Sequence, residues 1–74
     1  MVYIFRSKAG TFTIEYDEIE KEAYCLCIGG MCLAVYETAE RAAHDVCMKK
    51  TGWVEWDADE DAEGPRDISE WETE

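Results

Sequence analysis

Basic residues are scarce in this chain. Seven lysines and arginines stand against eighteen aspartates and glutamates in 74 residues, a net charge of −11. Arg6, Lys8, Lys21, Arg41, Lys49 and Lys50 are dispersed among acids, so no basic patch is available to grip a nucleic-acid backbone, and charge opposes direct nucleic-acid binding. No run of eighteen apolar residues is present, which argues against a membrane-spanning helix. The opening Met1-Val2-Tyr3-Ile4-Phe5-Arg6 has no basic stretch ahead of its apolar run and no small-residue cleavage site. It reads as a strand and not as a signal peptide, so a cytosolic protein is expected. Internal repeats are also absent.

A chain of this length is expected to form one small domain. Such domains bury only roughly 60% of the surface that the unfolded chain exposes, which leaves a thin core and little room for a deep substrate pocket. In a reducing cytosol the four cysteines, Cys25, Cys27, Cys32 and Cys47, are expected to be thiols that behave as small hydrophobes.

Val2 to Arg6 is rich in β-formers, and Ser7-Lys8-Ala9-Gly10 has turn chemistry. From Thr11 to Tyr16 the residues alternate, with Phe12, Ile14 and Tyr16 on one face, and this predicts a second strand paired to the first. Glu22 to Ile28 and Met31 to Tyr36 flank Gly29-Gly30, a pair suited to a tight hairpin turn. A regular register would oppose Ile28 to Met31, Cys27 to Cys32, Leu26 to Leu33, Cys25 to Ala34 and Tyr24 to Val35. Tyr24, Leu26, Ile28, Met31, Leu33 and Val35 would then form the main core face.

Thr38 is a predicted helix N-cap, and Ala39, Ala42, Ala43, Val46 and Cys47 make one helical stripe. Gly52 is the expected left-handed terminator, after Lys49 and Lys50 in the last turn. The predicted fold class is therefore α+β: a four-stranded antiparallel meander with one helix packed on it, spanning residues 1–56. Residues 57–74 are expected to be an acidic, Trp-containing C-terminal segment that can pack on this domain. Within it, Asp67 to Trp71 can form one helical turn.

Groupings that could carry chemistry fall short. His44, the single histidine, precedes Cys47 by three residues, but a cysteine on the apolar stripe is inert, and no third group orients the pair. Cys25, Cys27 and Cys32 share a hairpin face, yet the paired knuckles of a zinc ribbon are missing. Cys27 and Cys32 are opposed where a cross-strand disulfide fits sterically. Asp57, Asp59 and Asp61 open like a calcium loop, which then fails because Ala62 replaces the turn glycine and Ile68 the bidentate glutamate. No enzyme activity, metal or cofactor is expected.

The carboxylates are what remains. Trp53 to Glu74 holds ten acids and one base, a net −9, whereas residues 1–52 carry −2. Acidic tails commonly do no more than solubilise. This one is punctuated by Trp53, Trp56 and Trp71 and follows the predicted helix without a linker. Carboxylates held at high density can imitate a DNA backbone and fill a basic cleft. On this reading Asp57, Asp59, Glu60, Asp61 and Glu63 are the main phosphate mimics, with Glu15, Asp17, Glu18 and Glu20 as a second group.

The short length, strong acidity and β-plus-helix pattern resemble the small phage-encoded anti-CRISPR proteins of the DNA-mimic type. That resemblance implies a protein of the host bacterial cytosol. A monomer or weak dimer is expected from the residues, since a helix this alanine-rich and an edge strand this apolar could also serve a dimer. The resemblance implies as partner the basic DNA-binding surface of a protein such as a CRISPR effector subunit. The stretch TAERAAHDV followed by TGWVEWD, within residues 38–57, is also similar to a type of small bacterial or prophage protein without assigned activity. The alternative expectation is a small cytosolic acidic adaptor that binds a basic partner protein.

Overall fold

The computed structural model describes residues 2–74. Five strands form one antiparallel sheet in the order β4-β3-β2-β1-β5: β1 Val2–Ser7, β2 Gly10–Asp17, β3 Ala23–Ile28, β4 Met31–Tyr36 and β5 Glu72–Thr73. Helix α1, Ala39–Cys47, packs on one face, and a single helical turn, α2, covers Val54–Asp57. The class is α+β, as the patterning predicts, with a fifth strand added by the C-terminus.

Alternation decides the inner face. Phe12, Ile14, Leu26 and Ile28 point to α1 and are buried with Ala39, Ala42, Ala43 and Val46. The alanines let the helix lie close to the sheet. Thr38 caps it as expected, its Oγ1 accepting the Arg41 N–H at 3.2 Å. Both Gly29 and Gly30 have positive φ, +56° and +83°, which gives the tight turn of the β3–β4 hairpin.

The regular register of that hairpin holds only for its first two pairs. Ile28 opposes Met31 and Cys27 opposes Cys32, after which a bulge at Leu33 sets Leu26 against Ala34, Cys25 against Val35 and Tyr24 against Tyr36. The extra residue turns Tyr36 toward the helix, where its hydroxyl donates to Asp45 Oδ2 at 2.7 Å. It also rotates Val35 off the core face to 45% exposure, while Met31, opposite Ile28 at the rim by the turn, is 51% exposed, so neither is part of the core.

The helix end departs from expectation too. Lys49, at φ +61°, is the left-handed residue, with Lys49 N–H donating to Val46 O and Lys50 N–H to Asp45 O. That is a Schellman ending, one turn earlier than Gly52. Left-handed backbone costs a residue with a β-carbon about 1–2 kcal/mol, and the Lys49 side chain offsets it. Its ammonium lies 4.0 Å from the Trp56 ring centroid and donates to the carbonyls of Trp56 and Asp59.

Candidate functional site: the anchored acidic segment

All three tryptophans fold back on the domain. Trp56 is only 2% exposed; its ring meets Phe5 and Phe12 edge-on at 5.4 and 5.7 Å, and its indole N–H donates to Val46 O at 2.8 Å. Trp53 donates its indole N–H to Ala9 O at 3.1 Å, tying the segment to the β1–β2 turn. Trp71 is buried against Phe5, with ring centroids 5.6 Å apart and its indole N–H without an acceptor. A 3₁₀ turn, Ile68–Glu70, capped by Asp67, leads into β5, which pairs with β1. Gly64 crosses so near the Trp56 ring that a β-carbon there would lie 3.0 Å from it. The acidic stretch is thus closed into a loop pinned at both ends.

Several of its carboxylates shape that loop. Asp57 accepts the Thr51 N–H at 3.1 Å, the Thr51 hydroxyl at 2.8 Å and the Gly52 N–H at 2.8 Å. Asp59 Oδ1 accepts the N–H groups of Asp61 and Ala62. Glu60, Asp61 and Glu63 are exposed. Asp59, Asp61 and Glu63 line a groove of about 420 Å³ together with Phe5, Arg6 and Lys8. Among the described residues, the one ion pair joins Arg6 to Glu72, so Glu60, Asp61 and Glu63 carry unpaired charge.

The second acidic group is elsewhere. Glu15, Asp17, Glu18 and Glu20 lie toward or in the β2–β3 turn, at the end of β2 opposite Gly10 and the β1–β2 turn. Seven strand steps of about 3.3 Å separate those ends by roughly 23 Å. The nine acids singled out in the sequence therefore form two patches and not one strip. Asp17 is also engaged internally: its Oδ1 accepts the N–H groups of Glu20 and Ile19, which holds its carboxyl below the usual aspartate value.

Lys49 and Gly64 are the residues that sequence patterning missed. Lys49 reads there as an ordinary basic residue of a last helical turn. Only its contact with Trp56, seven positions on, reveals it as a clamp. His44 stays exposed on α1 beside Glu40, Arg41 and Tyr36, while Cys47 is half-buried. No helix among the described residues is long and apolar enough to cross a membrane. No grouping of three or more His, Cys, Asp or Glu side chains among them is arranged to hold a metal ion. No protein-family model matches the chain, and neither the curated proteins nor the solved structures contain a significant match.

Proposed function

We propose that this protein is a non-enzymatic inhibitor that acts as an acidic DNA mimic. It would occupy the basic DNA-binding surface of a DNA-handling protein, such as a CRISPR effector subunit. The observation that carries the reading is the combination of order and free charge at residues 57–63. The backbone is clamped by buried tryptophans and by Asp57 and Asp59, while Glu60, Asp61 and Glu63 remain unpaired. A fixed anion array loses little conformational entropy on binding, which a disordered tail would lose in full.

Dimensions and charge support the same reading. The longest axis is 36 Å, near the roughly 34–36 Å of one turn of duplex DNA. The net charge of −11 attracts the protein to a basic DNA-binding surface. Glu60, Asp61 and Glu63 make the main contacts. Asp57 and Asp59 hold the loop and add to its field, and Glu15, Asp17, Glu18 and Glu20 present a second contact region.

The test titrates the protein against a CRISPR effector bound to fluorescent target duplex. Displacement is expected to weaken steeply with salt. Glu60→Lys, Asp61→Lys and Glu63→Lys together should raise the inhibitory concentration roughly a hundredfold. Inhibition that persists undiminished in this triple variant would sink the mimic mechanism.

A further inference from the structure

Three of the four cysteines converge on the face of the sheet turned away from α1. The β3 alternation that sends Leu26 and Ile28 into the core sends Cys25 and Cys27 to this outer face, and Cys32 opposes Cys27. Counting from the two-residue turn, Ile28 and Met31 form the hydrogen-bonded pair. Cys27 and Cys32 then occupy the next, non-hydrogen-bonded position, where opposed α-carbons approach to about 4.5 Å. That separation is at the close end of the range a disulfide can bridge. Burial first, and then the neighbouring Cys32, push the Cys25 thiol up, so Cys32 neighbours both other thiols.

The three thiols differ in accessibility. Cys32 is exposed, Cys27 half-buried and Cys25 buried, and all are free. The Lys21 ammonium lies 3.8 Å from Cys32 Sγ, and the Cys32 thiol donates to Ala34 O at 3.6 Å. The three thiols line an open depression of about 520 Å³ with Glu15, Asp17, Glu18 and Lys21. Three carboxylates against one ammonium give this rim a negative field, which attracts cationic reagents and repels anionic ones.

We infer that Cys32, with Cys27 as its resolving partner, forms a thiol–disulfide exchange site for small cationic disulfides. In the first step the Cys32 thiolate attacks one sulfur of the disulfide RSSR, forming a mixed disulfide and expelling RS⁻. In the second the Cys27 thiolate attacks the Cys32 sulfur, closing the Cys27–Cys32 bond and expelling the second RS⁻. The two protein thiols are oxidised, one small disulfide is reduced to two thiols, and the two protein protons end on those thiols.

The second step responds to pH. Burial, with Cys32, Cys25 and Glu15 nearby, pushes the Cys27 thiol up to about 11. Lys21 and Asp17 influence the neighbouring Cys25 in opposite directions, and Glu18 completes the rim. Burial, the largest of these causes, still raises the Cys27 thiol after Cys32 is capped, so ring closure accelerates as pH rises.

The experiment treats the reduced full chain with cystamine or with oxidised glutathione, which is anionic. Rates are normalised to those of a free, uncharged cysteine derivative with the same reagents. The site predicts a normalised preference for cystamine of roughly tenfold at low salt, shrinking toward unity at high salt. Peptide mapping should place the first adduct on Cys32 and the final bond between Cys27 and Cys32. Cys27→Ser should stop at the adduct, and Cys32→Ser should lose the fast reaction. A normalised ratio of one at low salt, an adduct on another cysteine, or a final Cys25–Cys32 bond would overturn the assignment. The wild-type mapping decides the outcome even if a variant misfolds.

Discussion

Two acidic stretches of similar composition are held in opposite ways. Residues 17–22 carry four acids and one lysine, and residues 57–63 carry five acids. The first is a turn fastened by a single carboxylate, Asp17, and its apolar residue Ile19 is 89% exposed. The second is bracketed by two tryptophans buried in the core and crossed by a lysine clamp. Charge content alone does not separate an ordered anionic surface from a solvated turn. The aromatic anchors on either side make the difference, because their burial fixes the backbone between them.

Removing the anchor should have the largest effect. Trp56→Ala deletes a fully buried ring, for a loss of about 3–5 kcal/mol, out of a total on the order of 4–11 kcal/mol for a domain this size. Urea unfolding should show the collapse of most of the stability. A loss below about 1 kcal/mol would mean the indole is not part of the core. Asp57→Ala comes next, because it leaves the Thr51 N–H and hydroxyl and the Gly52 N–H without their acceptor; about 2 kcal/mol is expected by the same measurement. By contrast, Glu18→Ala in the other stretch should change stability by less than about 0.5 kcal/mol.

Lys49→Gly sharpens the comparison. Glycine relieves about 1 kcal/mol of left-handed strain but removes the cation–π contact and the bonds to Trp56 O and Asp59 O. A net destabilisation of about 1 kcal/mol is expected in chemical denaturation. A stabilised variant would show that the clamp contributes little.

The smallest effect is an acid one. The Asp17 carboxyl is lowered first by the Glu20 backbone N–H and then by that of Ile19. A folded value below the unfolded one means that its stabilisation is complete above the ordinary 3.8 and is lost as pH falls through the lowered value. Amide shifts of Ile19 and Glu20 should therefore move below pH 4 with little change in overall stability.

The strands and the helix were legible because alternation and the 3.6-residue stripe are local signals. Gly29-Gly30 announced its hairpin, and Thr38 its helix. The bulge at Leu33 was not legible, since it answers a tertiary demand, the Tyr36 hydroxyl reaching Asp45 on α1. Lys49 escaped for a similar reason: its unfavourable φ is tolerated through contacts with residues that follow the helix. β5 is two residues long and polar, so no pattern marked it. In the candidate site, the tryptophans signalled that the acidic stretch could be attached. Its division into two patches, toward opposite ends of β2, depends on the sheet that separates them.

Backbone ¹⁵N relaxation across both acidic stretches tests the central claim most directly. An anchored array requires order parameters near 0.85 for residues 57–63, with lower values over residues 18–21. Values below about 0.6 in residues 57–63, equal to those of the β2–β3 turn, would contradict a fixed anionic surface and the mimicry built on it.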